Sequence, residues 1–171
     1  SAGLWTGVQA AGNDLIATLD GDGQNDPADI ARLYDLYERH KNVREKLMIV
    51  GERKKRNDSL SRRLASRFAN RLRSALLKDM TKDTGCSLKM FRRKDYITLP
   101  YFDHMHRFLP ALMIRNGVHL IHVDVSHRPR QHGVSKYGNF SRALVGVTDL
   151  LGVRWLQTRP YAFPKITEDL N

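Results

Sequence analysis

Four short apolar runs, "DLIATLD" (14–20), "KLMIVGE" (46–52), "CSLKMF" (86–91) and "VHLIHVDVSH" (118–127), are separated by stretches whose apolar residues recur at helical spacing. Strands alternating with helices predict an α/β fold, with a sheet held between helices. Residues 2–11 read as a helix ending at Gly12, and residues 103–116 as another ending before Gly117. Asp26-Pro27 reads as a helix start, with Asp26 as cap and Pro27 at the first helical position. The helix it opens carries Ile30, Leu33, Tyr34 and Tyr37 on one face, and residues 139–157 form a last, rather apolar helix. At 171 residues the chain is about the size of one domain. A chain of that length buries roughly 70% of the surface its unfolded form exposes.

Charge narrows the partners. The net charge of +11 predicts attraction to nucleic acid, an anionic membrane or phosphorylated ligands. The excess concentrates between Arg53 and Lys78, which hold ten Lys and Arg against one Asp. There Leu60, Leu64, Phe68, Leu72 and Leu76 recur every fourth residue, one apolar stripe on an otherwise basic helix. Like charges this dense repel unless an anion sits nearby. Nucleic acid fits on charge alone, but no zinc-finger, homeodomain or RNA-recognition signature is present and aromatics do not interleave the basic run. The single cysteine, Cys86, excludes an internal disulfide, suits a reducing compartment and reads as a small buried residue. No apolar run reaches the length of a membrane span, and no signal peptide is evident.

In this basic chain "LDGDGQNDP" places Asp20, Asp22 and Asp26 within seven positions. A strand ending in Asp-x-Asp projects carboxylates from the carboxyl edge of a sheet, where ligands of open α/β sheets bind. Mg²⁺ or Mn²⁺ takes one or two such carboxylates together with phosphate oxygens. The plainer alternative is an Asp/Gly turn followed by a cap. Arg53 and Arg56 stand in a loop suited to bidentate phosphate binding. In "HRPRQHGVSKYG", Arg128, Arg130 and Lys136 flank Gly133, with Ser135 beside the lysine; such a loop folds over a phosphate or is merely a basic surface loop. Asp83, in a turn just ahead of a strand, is a candidate acid or base, or a turn former. His104 and His106, two apart on a helix, point away from each other and make a poor metal pair, and Asp103 reads as a helix cap.

Four ordered stretches, "LDGDGQNDP", "GERKKR" with "SRRLASRFANRLRSALL", "DTGCSLKMFRR" and "HRPRQHGVSKYG", together resemble family 2 glycosyltransferases of the polyprenyl-phosphate type, the dolichol-phosphate mannosyltransferase-like group. The resemblance covers roughly residues 1–160, with 161–171 a tail. It implies a GT-A fold, a mixed and mostly parallel sheet between helices. It implies sugar transfer from a nucleotide-diphosphate sugar to an undecaprenyl or dolichyl phosphate, with inversion. Carried over by position, Asp20 and Asp22 hold Mg²⁺ or Mn²⁺, with Asp22 also at the catalytic centre. Gln24, Arg53, Arg62 and Arg63 contact donor phosphate. Arg130, Ser135 and Lys136 belong to an acceptor loop, and Asp83 is an acidic group near the reacting centre. An acceptor phosphate monoester has a second pKa near about 6, so at neutral pH it is already mostly a dianion and asks little of a general base.

The pattern departs from the family twice. An opening nucleotide-binding segment with an acidic "DDGS" stretch is absent, and the transmembrane helices of many members do not follow. The expectation is a C-terminal part of a longer protein, inactive in transfer by itself, with one face or edge of the sheet uncovered and therefore marginally stable, self-associated or completed by another chain. The enzyme is expected in the cytoplasm, peripheral at the inner face of the membrane, with 139–157 as an interfacial helix and no nucleic-acid partner. The competing readings are a basic nucleic-acid-binding module, or the same fold with a non-lipid acceptor.

Overall fold

The computed structural model describes residues 1–53, 71, 73–128 and 139–159, with 139–144 described in backbone only. Most of the basic stripe, including Leu60, Leu64, Phe68 and Leu72, lies outside the described residues, as does the 160–171 tail.

A four-stranded sheet forms the centre, in the order β1-β3-β2-β4. Its strands are β1 (Leu15–Thr18), β2 (Leu47–Arg53), β3 (Lys89–Arg92) and β4 (His119–Val125). β3 runs antiparallel to both β1 and β2, and β4 is parallel to β2, with Leu47 opposite His119 and Arg53 opposite Val125. The sheet is therefore mixed, as expected. Three strands point one way, although β3, inserted against them, makes two of the three pairings antiparallel. The consequence for function is that β1, β2 and β4 all end at one edge of the sheet, where β3 begins.

β2 is central, which explains its unbroken apolar run: Leu47, Met48, Ile49 and Val50 are all buried. They alternate between two cores. Met48 and Val50 join Phe91 and residues of α1 (Ala2–Ala10), α3 (Arg93–Ile97), α4 (Leu109–Arg115) and α5 (Asn139–Gln157). Leu47 and Ile49 join Leu33 and Tyr37 of α2 (Ala28–His40) on the opposite face. Helical layers thus cover both faces, as the alternation of strands and helices requires.

Several local expectations change. β1 was expected to be a buried strand; it is an edge strand, mostly half-buried. Tyr34 is 48% exposed, while Leu36 packs against the α2-side core, because the helix is rotated to seat Leu33 and Tyr37. Leu77 is buried where the four-residue stripe named Leu76. β3 starts at Lys89, three residues after the start of the apolar run, because Cys86–Leu88 are spent on a buried approach to β2. Asp103 caps no helix: its carboxylate accepts from the amide of His104, which stands at φ 63 ahead of the 3-10 turn Met105–Phe108. The short helix α3 was not anticipated. Arg93 at its start donates to the carbonyls of Val8 and Gln9, closing the C-terminal end of α1.

Gly51 is required where β2 meets residue 88. Its amide donates to the Leu88 carbonyl at 2.9 Å, and a Cβ here would lie 2.8 Å from that oxygen. Gly51→Ala forces two backbones apart, so urea unfolding should show a loss of about 1–3 kcal/mol. An unchanged midpoint would contradict this contact.

Candidate functional site

The shared strand edge collects most of the described sequence-predicted residues. Thr18, the last residue of β1, donates its hydroxyl to the Ser87 carbonyl at 2.6 Å. Ser87 in turn holds the aspartate turn: its Oγ accepts from the Asp20 amide at 3.0 Å and from Asn25 Nδ2 at 2.6 Å. Asp22 Oδ1 accepts the Gln24 amide at 3.1 Å, closing a local Asx turn, and Gly23 supplies the positive φ of 74 that the chain needs next. Asp20 is exposed and, among the described residues, its carboxylate has no hydrogen-bond or ion-pair partner. Two hard oxygen donors two residues apart at an open edge fit Mg²⁺ or Mn²⁺ completed by phosphate oxygens. Among the described residues no group of three or more His, Cys, Asp or Glu could hold a metal by itself, so substrate oxygens would complete any such site.

Asp26 behaves as the cap the sequence indicated. Its Oδ1 accepts the Ala28 amide at 3.1 Å, with Pro27 already in helical conformation. That bond, and then Arg128, hold its carboxyl below the usual range. Arg128 Nη2 lies 2.6 Å from Asp26 Oδ2, and the Arg128 amide donates to the Gln24 carbonyl at 2.9 Å. The Gln24 side chain lies 3.5 Å from the His127 ring, and the buried Asp29 carboxylate accepts the Ser126 amide at 2.7 Å. The segment leaving β4 is therefore tied to the first turn of α2 at Ser126 and to the aspartate turn at His127 and Arg128. Arg130, Ser135 and Lys136 follow immediately in sequence and lie outside the described residues, as do Arg62 and Arg63.

Arg53 is not the loop residue the sequence suggests but the last residue of β2, and the structure joins it to Asp83, to which its amide also donates at 3.4 Å. Arg53 Nε and Nη2 donate to the two carboxylate oxygens at 2.6 and 2.8 Å. The pair is largely buried, with side-chain exposures of 15% and 8%, and the Asp83 bond raises the Arg53 pKa above its ordinary value. A carboxylate engaged on both oxygens is a poor proton acceptor and a good anchor for a guanidinium. Asp20 acts electrostatically on Arg53 too, so acid turn and arginine share one field. Gly85 leaves room for the guanidinium: a Cβ there would be 3.0 Å from Nη2.

Cys86 is buried, and burial pushes its thiol pKa up, as suits a packing residue rather than a nucleophile. Ser87, Asn25 and Asp29 were missed. Ser87 sits inside the quoted "DTGCSLKMFRR", but its bonds span more than 60 positions, and only the fold reveals them.

The sequence model of the family described as "Glycosyl transferase family 2" matches residues 1–99. The chain is 39% identical over 156 residues to a dodecaprenyl-phosphate galacturonate synthase from Rhizobium johnstonii, covering 90% of this chain and 45% of that protein. It is 34% identical over 150 residues to an undecaprenyl-phosphate 4-deoxy-4-formamido-L-arabinose transferase from Pectobacterium carotovorum subsp. carotovorum, covering 86% of this chain and 43% of the relative. A protein of the same name from Photorhabdus laumondii is 32% identical over 149 residues, covering 86% of this chain and 44% of its own. The chain spans less than half the length of these curated relatives.

Proposed function

The chain belongs to glycosyltransferase family 2, and on that premise we propose that its protein moves a sugar from a nucleotide-diphosphate sugar to a polyprenyl phosphate. The observation that carries the reading is the convergence of three elements on one sheet edge. These are the Asp20/Asp22 turn, the Arg53–Asp83 pair, and the start of the segment leading to Arg130, Ser135 and Lys136. The relatives' names supply the acceptor class, a polyprenyl phosphate, and differ in the sugar.

Asp20 and Asp22 would hold Mg²⁺ or Mn²⁺ against the donor diphosphate; when bound, the ion neutralises charge that gathers on the leaving group. Asp83 fixes Arg53 with its Nη1 edge free of that pair, so a preorganised cation faces the same phosphates at no further ordering cost. The acceptor phosphate dianion attacks the anomeric carbon as the bond to the diphosphate oxygen breaks, inverting that centre. No proton need be removed, which agrees with a role for Asp83 in positioning Arg53. The test is a screen of nucleotide-diphosphate sugars with the complete gene product, undecaprenyl phosphate and Mn²⁺, with lipid products read by mass spectrometry. A glycosyl phosphate lipid from at least one donor is expected; no lipid product, with sugar moved to protein or soluble sugar instead, would overturn the acceptor assignment.

Among the described residues no helix is long and apolar enough to cross a membrane. α5 instead has two sides. Val153 is buried, while Val147, Leu151 and Trp155, four residues apart, are exposed in a stripe, with Arg159 5.0 Å from the centre of the Trp155 ring. An outward apolar stripe with a basic, aromatic anchor supports contact with a membrane surface, where a lipid phosphate presents its head group. Leu151→Glu with Trp155→Glu should lower partitioning onto anionic vesicles by on the order of 10-fold or more, since each side chain contributes about 1.5–3 kcal/mol when buried. Equal flotation of the 171-residue chain with and without the changes would refute this contact.

A further inference from the structure

Lys89 opens β3 in the middle of the sheet and is only 4% exposed. It pairs across the ladder with Thr18 of β1 and Val50 of β2. Its ammonium donates to the Cys86 carbonyl, and among the described residues no carboxylate forms an ion pair with it. A lysine has three donors and is strongly hydrated, so one neutral acceptor leaves most of its desolvation unpaid. Burial accordingly lowers its pKa, while Cys86, then Asp83 and Asp20, act the other way. Such a group is costly to a fold that has no use for it.

Its surroundings indicate a use. Lys89 lines a cleft of about 1040 Å³ that runs between α1 and β1 and ends at Asp20 and Ser87. Its strand neighbour two positions on, Phe91, faces the α1-side core, and Leu88 and Met90 face the α2 side. Lys89 therefore belongs to the α1 side, the side on which the cleft lies. The cleft is walled by Gly3, Leu4, Gly7 and Val8 of α1 and floored by β1, with Arg107 also on its lining, and Lys89 enters it beside Thr18, two residues before Asp20.

We infer that Lys89 is a further donor-binding residue, whose ammonium takes an anionic oxygen group of the nucleotide-diphosphate sugar in the cleft between α1 and β1. This rests on the functional reading above. The group is either a phosphate of the donor or a carboxylate on the transferred sugar; both present oxygens that replace the hydration Lys89 lacks.

The test measures binding of UDP, UDP-glucose and UDP-galacturonate, with Mn²⁺, to the complete protein and to Lys89→Met and Lys89→Arg. If Lys89 takes phosphate, Lys89→Met should weaken all three at least tenfold, with partial recovery in Lys89→Arg. If it takes a sugar carboxylate, only UDP-galacturonate should weaken. Wild-type affinities for all three in Lys89→Met would overturn the assignment to Lys89 while leaving the functional reading intact; a wild-type protein that binds none of them would overturn both. A second measurement does not depend on the variants folding. A crystal structure of the wild-type protein with UDP-galacturonate and Mn²⁺ should place Lys89 Nζ within about 3.2 Å of a phosphate or carboxylate oxygen of the donor; a donor seated in the site with no oxygen near Lys89 Nζ would overturn the inference.

Discussion

Asp22→Ala should abolish metal-dependent binding of the donor and lower transfer by on the order of 10²–10³-fold, the scale set by removing one fixed electrostatic contact to a developing charge. Two things are lost together. The carboxylate is one of two oxygen donors the turn offers a divalent cation, and its Oδ1 also accepts the Gln24 amide that shapes the turn. Asp22→Asn separates them, since it can keep the turn bond and lacks the charge. If the charge matters, Asn should be nearly as impaired as Ala; if only the turn matters, Asn should be close to wild type. Titration with Mn²⁺ and a nucleotide-diphosphate sugar reads the difference, and unchanged Mn²⁺-dependent affinity in Asp22→Ala would sink the metal assignment.

Asp79→Ala should cost about 3–5 kcal/mol, the penalty for stranding a buried charge by removing its partner. Asp79 is fully buried and pairs with Arg73, which also donates to the Thr81 carbonyl at 2.7 Å; Asp79 Oδ1 accepts the Thr81 amide at 3.2 Å. These bonds hold a turn in which Lys78 and Met80 have φ of 54 and 52, a conformation non-glycine residues adopt only when the surroundings impose it. Against a total stability of about 5–15 kcal/mol the loss is large. The turn lies just before Asp83, so its release should also slacken Arg53. Replacing both partners with apolar residues, Arg73→Met with Asp79→Leu, should recover much of the stability. Denaturant unfolding that shows less than about 1 kcal/mol of loss in Asp79→Ala would contradict a structural role for the pair.

What the sequence showed depended on the range over which each interaction acts. α5 has the bounds read from residues 139–157, β2 coincides closely with its apolar run, and Asp26-Pro27 opens α2, because each of these is decided by neighbours in the chain. Cys86 was read correctly as buried from its residue type and surroundings. The basic run illustrates the limit. Arg73 counted there as one more uncompensated cation, yet its acid lies six residues on and both are buried. Arg53 and Asp83 were each recognised, but their pairing joins the end of β2 to the approach to β3, and no local spacing records it. Ser87 and Lys89 were invisible for the same reason: a hydroxyl that braces the aspartate turn and a cation buried in the sheet acquire their meaning only when β1 is laid against β3.

The most direct measurement of the site is the anomalous scattering of Mn²⁺ in crystals of the complete protein with a bound nucleoside diphosphate. The account predicts a peak about 2.1 Å from a carboxylate oxygen of Asp20 or Asp22 and from oxygens of the diphosphate, with Arg53, still paired to Asp83, facing the same phosphates. A diphosphate seated at this edge with no Mn²⁺ peak, or with the peak away from both aspartates, would contradict it.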